Sequence, residues 1–252
     1  MFNKIIEFQY SEDASEIVKD VLPEPINKTV PDWYKKLKHS LELKTVKGCI
    51  PFLDTLTSGY VLKMPQDFFI NHNYYNEELK TFDSSFKYSY GGIFGDYIQK
   101  NLINFNDDLR QTHSPEQLGN ECPFHKKNKN LPYYKILNPF IIKTPPGYSC
   151  LFVPPLNNTD DRFSIIPGIV DTDSFPGEIN FPIIINGDKY PNLVTTIERG
   201  TCYVQIIPFK RNNWEMKISK YSREDKKQRW LTMSKFLINN YRKLFWKRKK
   251  WI

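Results

Sequence analysis

The sequence predicts a mainly β protein: a sandwich or barrel of short strands, with an N-terminal strap and a C-terminal amphipathic helix. Three observations carry that prediction. Strand-forming aromatics are plentiful, with 18 Phe, 15 Tyr and 5 Trp, and short β-branched runs recur among them. Pro outnumbers Gly 18 to 11 and punctuates those runs at the positions turns demand. Only near the end does the apolar spacing become helical, with Trp230, Met233, Leu237, Tyr241 and Leu244 three or four residues apart. At 252 residues the chain is long enough to bury a substantial core and suits one large domain with an appendage.

Residues 1–43 read as the strap. Within it, Pro31-Asp32 ahead of WYKKLKHSL predicts a short helix with Pro near its first turn, and Trp33, Leu37 and Leu41 form one apolar stripe. The β-rich body covers 44–221. Its first strands are predicted over 45–53, 58–64, 67–73 and 86–94, with Tyr90-Gly91-Gly92 as a turn signal. Between Asn104 and Leu131 the polarity rises and the pattern fails, which predicts a long loop with a helical turn, a feature often tied to function. Strands then resume over 135–143, 147–154, 162–171, 178–186, 192–197, 201–209 and 213–218. The turns between them are marked by Pro145-Pro146-Gly147, Asn157-Asn158, Pro176-Gly177, Asn186-Gly187-Asp188 and Arg199-Gly200. Residues 222–252 form the last element, which Ser222, three residues before Asp225, opens as a helix cap with an acidic first turn.

Net charge is +8, but ten Lys and Arg follow Asp225 with no acidic residue among them, so the first 225 residues sum to −2. A near-neutral body with one basic terminus is unlike a uniformly basic nucleic-acid binder. Cys49, Cys122, Cys150 and Cys202 are scattered and form no Cys-x-x-Cys pair, the usage of buried free thiols in a reducing compartment. The N-terminus turns polar too early for a secretory leader, and no apolar run approaches the roughly 20 residues of a bilayer span. The expectation is a soluble, unprocessed protein without a transmembrane segment.

The stretch from 147 to 209 runs PGYSCLFVPPLNN, GIVDTDSFPGEINFPIIIN and IERGTCYVQIIP in order. It resembles the trimeric dUTPase and dCTP-deaminase superfamily, whose fold is the β-clip, a jelly-roll-like barrel of short strands. Gly168, Val170, Asp171 and Gly177 match that family's third motif in part. Arg199, Gly200 and Gln205 match the spacing of its fourth, and CIPFLDTLTSGYVL is a looser candidate for its first. The resemblance implies Asp171 as the carboxylate that orients water, Phe175 as the aromatic beneath the deoxyribose, and Gln205 near the phosphates, with magnesium as cofactor if the reaction is retained. This chain departs from the pattern in three places, one being that its C-terminus is a basic helix where the family has a Gly-rich, phosphate-cradling fifth motif. Asp171 to Gly177 is one residue longer than the family spacing, and an inserted residue re-aims side chains. Pro154-Pro155-Leu156-Asn157 stands where the family's Arg-Ser pair meets the phosphates, so a cationic clamp is missing. A scaffold retained without its reaction, and so without a cofactor, is the reading these departures favour.

A broader likeness covers nearly the whole chain. VPDWYKKL, TVKGCIPFLDTLTSGYVL, NPFIIKTPPGYS, GIVDTDSFPGEINFP, YVQIIPFKR and YRKLFWKRKKWI look like an uncharacterised protein family of tailed phages of marine bacteria. That resemblance implies a virion structural or assembly component acting with identical copies or other virion proteins, in the bacterial host cytoplasm or the particle. A divergent deoxynucleotide triphosphate hydrolase or deaminase is the enzymatic alternative.

Other polar residues have plainer readings. Asp171 and Asp173 also suit a turn in which their side chains bond backbone amides. His113 and Cys122-x-x-His125 carry metal-compatible atoms without an evident fourth ligand. Asn157, Asn158, Asp160 and Asp161 read as a solvated loop rather than a cation site, and His39 and His72 have no catalytic companion. In the tail, Arg242, Lys243, Trp246, Lys247, Arg248, Lys249, Lys250 and Trp251 admit three partners. They suit nucleic-acid phosphates and bases, an anionic membrane surface, or the body itself beneath a docked helix.

Overall fold

The computed structural model describes residues 4–40, 42–76, 81–88, 112–113, 115–119, 121–128, 133–191, 193–234 and 241–252. The Tyr90–Gly92 turn, the end of the 86–94 strand, most of the 104–131 loop, and Leu41 and Leu237 lie outside the described residues. So do the side chains of His72, His113 and Met233.

The protein is mainly β and its sheets are antiparallel. In chain order the strands are β1 (Glu7–Gln9), β2 (Glu24–Pro25), β3 (Tyr60–Lys63), β4 (Phe68–Asn76), β5 (Thr81–Tyr88), β6 (Thr112–His113) and β7 (Tyr133–Ile136). They continue as β8 (Ile141–Lys143), β9 (Tyr148–Val153), β10 (Phe163–Ile165), β11 (Gly168–Val170), β12 (Phe181–Ile185), β13 (Val194–Ile197) and β14 (Cys202–Lys210). Among the described residues the α-helices are α1 (Ser15–Val18), α2 (Asp32–Lys36), α3 (Ile50–Thr57), α4 (Pro123–Lys127) and α5 (Arg223–Ser234). Two compact units emerge, one from residues 1–24 and 59–210, the other from 25–58 and 211–252.

The first unit holds the sheets. Their strand orders are β11-β9-β14-β3-β2, β10-β12-β7-β6, β13-β4-β5 and β1-β8, and no barrel closes among the described residues. Strand alternation sends Cys150 and Phe152 of β9 and Val204 and Ile206 of β14 inward, where they meet Phe181, Ile183 and Ile185 of β12 in one buried cluster. The N-terminal segment is part of this core: Phe8 pairs with Ile142, and Ala14, Ile17 and Val18 are buried. Arg199 donates to the Ile17 carbonyl at 2.9 Å, satisfying a group that helix geometry leaves without an intrahelical partner. Gly59 has φ +88°, and a β-carbon there would lie 2.0 Å from the Ile206 carbonyl oxygen, so β3 and β14 meet at a point only glycine permits.

Several sequence expectations need correction. Residues 45–53 are not a strand: Val46–Gly48 is a 3-10 turn and α3 begins at Ile50, with Pro51 in the first turn, where its missing N–H costs nothing. The 135–143 run divides into β7 and β8 because Asn138 folds back, its side-chain amide donating to the Phe140 carbonyl at 2.7 Å. The 162–171 run divides into β10 and β11 around Pro167, which has no N–H for a ladder. Residues 213–218 lie in no strand. Among the cysteines only Cys150 is fully buried, and Cys49 is exposed.

The second unit is built on short helices. Helix α2 ends at Lys36, with Leu37 already extended (φ −61°, ψ 124°), so the Trp33/Leu37 stripe is not helical throughout. Tyr34 is its buried residue, stacked on Phe52 of α3 at 5.9 Å with Trp33 edge-on to both rings. Helix α5 starts as the sequence predicts: the Asp225 N–H donates to Ser222 Oγ at 3.0 Å and the Ser222 N–H to Asp225 Oδ2 at 3.1 Å. The stripe predicted from Trp230 to Leu244 is not a buried one: α5 is described to Ser234, Tyr241–Phe245 forms a π-helical turn, and Trp230, Tyr241 and Leu244 are all exposed.

Candidate functional site

Asp171 follows directly on β11, whose pairing with β9 sets Val170 opposite Cys150. The chain then turns tightly: the Ser174 and Phe175 N–H groups donate to the Asp171 carbonyl at 3.1 and 2.9 Å. This turn sits on the Pro145–Tyr148 turn, where Gly147 has φ +81°. Side chains knit the two together. Ser149 Oγ donates to Asp171 Oδ1 at 2.6 Å, and the Gly147 N–H donates to Asp173 Oδ2 at 2.8 Å. Beneath them Thr172 is fully buried, with its hydroxyl 2.7 Å from that of Thr144 and 3.3 Å from Cys150 Sγ. Lys143 Nζ closes the outer side on the Phe175 carbonyl at 2.8 Å. Burial pushes the Cys150 thiol up to about 11, and the Thr172 hydroxyl bond opposes that shift.

The structure therefore brings Asp171 and Phe175 together on one turn but not Gln205. Gln205 lies on β14 opposite Val153, whereas Pro208 is the residue level with Cys150. It is fully buried, and its Oε1 accepts the Leu156 N–H at 3.0 Å. Three residues of offset place it roughly 10 Å along the sheet from the turn. The Phe175 ring is 41% exposed and lies beside Gly177.

The segment after β9 lines a cleft of about 110 Å³ walled by Pro154, Pro155, Asn158, Phe163, Cys202 and Tyr203. None of the lining residues is cationic. The adjacent Arg162 is committed: it forms a bidentate pair with Asp160 at 2.8 and 2.9 Å and donates to Thr195 Oγ1 and the Thr196 carbonyl. Hydrogen bonding to Arg162 holds the Asp160 carboxyl below its usual range. Asp161 is held low first by Lys189 and then by the Tyr190 hydroxyl. The oxygen-rich loop thus spends its carboxylates on protein partners. No group of three His, Cys, Asp or Glu side chains gathers for a metal ion among the described residues. His125 is buried with its Nδ1 atom unpartnered, and Cys122 caps the same short helix.

At the C-terminus, the Trp246 indole donates to both Asp54 oxygens at 3.1 Å, and Lys249 forms an ion pair with the same carboxylate. Trp246 and Trp251 are half-buried, while Arg242, Lys243, Lys247, Arg248 and Lys250 are exposed with no carboxylate against them among the described residues. Sequence reasoning missed Asp54, because the acidic group that fixes the tail lies almost two hundred residues away and carries no motif. No helix among the described residues is long and apolar enough to cross a membrane. No family model matches the chain, and no curated protein matches it.

Proposed function

We propose that the protein is a non-catalytic phage component, a virion structural or assembly protein, built on a β-clip-related, jelly-roll-like scaffold. One observation supports the non-catalytic part of this reading, while its phage part rests on the resemblance of the chain: the two carboxylates of the Asp171–Gly177 turn are engaged by Ser149 and by the Gly147 N–H, so they pin one turn to another. The family's phosphate-facing positions add to it, being prolines around a cleft without a cation, with Gln205 bonded to the backbone. Function follows the site rather than the fold, and here the site's polar groups serve architecture.

The test has two arms. Mass-spectrometric inventory of purified particles is expected to find the protein, and incubation with deoxynucleoside triphosphates and magnesium is expected to give no turnover. Hydrolysis or deamination that disappears in Asp171→Ala would replace this reading with the enzymatic one. Absence from particles and from assembly intermediates would remove the virion role.

A further inference from the structure

Residues 211–222 are exposed throughout and lie in no helix or strand. Within them Trp214 is 89% exposed, Met216 84% and Ile218 86%. A single exposed apolar side chain is ordinary, but three large ones at every second position have the alternation that a strand would place on one face. Between them stand Glu215 and Lys217.

We propose that this segment is the two-fold contact of a homodimer, pairing antiparallel with the same segment of a second copy and centred on Met216. The sequence is self-complementary in that register. Trp214 meets Ile218, Met216 meets Met216, and Glu215 meets Lys217 twice, as an isologous interface requires. Asn213 falls opposite Ser219. The alternatives are penalised by charge or by face. Centring on Glu215 opposes two carboxylates, and centring on Lys217 opposes two ammonium groups. Parallel in-register pairing does both. A register shifted by one residue sets Trp214 against Lys217, and any such odd shift mixes the apolar and polar faces. The paired ribbon collects six large apolar side chains on one face. Because a two-stranded ribbon is weak alone, the dimer is expected to be concentration-dependent, with a dissociation constant on the order of micromolar. This contact stands apart from the virion reading, because it forms in solution whether or not the protein is packaged.

Sedimentation equilibrium of the full chain over a concentration series tests it, with E215K, K217E and the double swap E215K/K217E. Circular dichroism confirms that each variant stays folded. Each single reversal opposes like charges twice and is expected to weaken dimerisation about tenfold, while the double swap restores it to within about threefold of the parent. A monomer at every concentration, a dimer indifferent to single reversal, or a double swap no better than the singles would overturn the proposal. Co-sedimentation of a monomer with phosphatidylglycerol vesicles would overturn it too, by assigning the apolar face to a membrane.

Discussion

Cys150 shows how a single buried atom sets a pH limit. Its thiol has no exposed surface and its ionisation is pushed up from 9.0 to about 11 by burial. The group is neutral in both states below pH 9. Above that, the unfolded thiol ionises while the folded one does not, so its contribution to stability is lost as pH rises through 9 toward 11. The expected loss is on the order of 2 kcal/mol. Tyr34, Tyr60 and Tyr133 are also pushed up by burial, but from a higher starting value of 10.0, so the first part of the alkaline decline belongs to the thiol. Urea titrations at pH 7, 9 and 10 check this: Cys150→Ala is expected to be less stable at neutrality, through the cavity it leaves, yet flatter between pH 9 and 10. An unchanged slope in the variant would assign the decline to other groups.

Among the elements, helix α5 offers a clean measurement because its first turn is exposed and its cap is local. The reciprocal bonds between Ser222 and Asp225 satisfy donors that a helix start otherwise leaves open. Ser222→Ala is expected to cost about 1 kcal/mol and to lower ellipticity at 222 nm, whereas Ser222→Asp keeps most of both. This cap was legible in the sequence because it is local. The strands from Tyr148 to Lys210 were legible too, apart from the split of 162–171 at Pro167, since β-branched alternation and turn residues agree there. Residues 45–53 were not: Cys-Ile-Pro-Phe-Leu has the apolar content of a strand, and only Pro51 in a first turn signals the helix. Residues 213–218 have the alternation of a strand but pair with no segment among the described residues, and pairing is a property of two segments.

On the scale of the whole molecule, the candidate turn was legible as Asp171 and Phe175, and so was a turn whose Asp side chains bond backbone amides; its partners were not, because Ser149 and Gly147 arrive from another strand and turn. The same holds for the basic tail, whose anchor is Asp54. The Asp54 side chain is 18% exposed and takes two bonds from Trp246 as well as the Lys249 charge, so Asp54→Ala strips the tail of all three. We expect that variant to lose about 1–3 kcal/mol in the second unit and to be cut faster by trypsin between Arg242 and Lys250. Equal digestion rates for parent and variant would show that the tail is held by something else.

That long-range anchor also orders events at the ribosome. Everything the β-rich unit needs has been translated once Lys210 is made, but residues 25–58 must wait for the last stretch before Asp54 meets Trp246 and Lys249. At roughly 5–20 residues per second, those early helices spend a span of many seconds as an unfinished, aromatic-rich nascent segment exposed to chaperones.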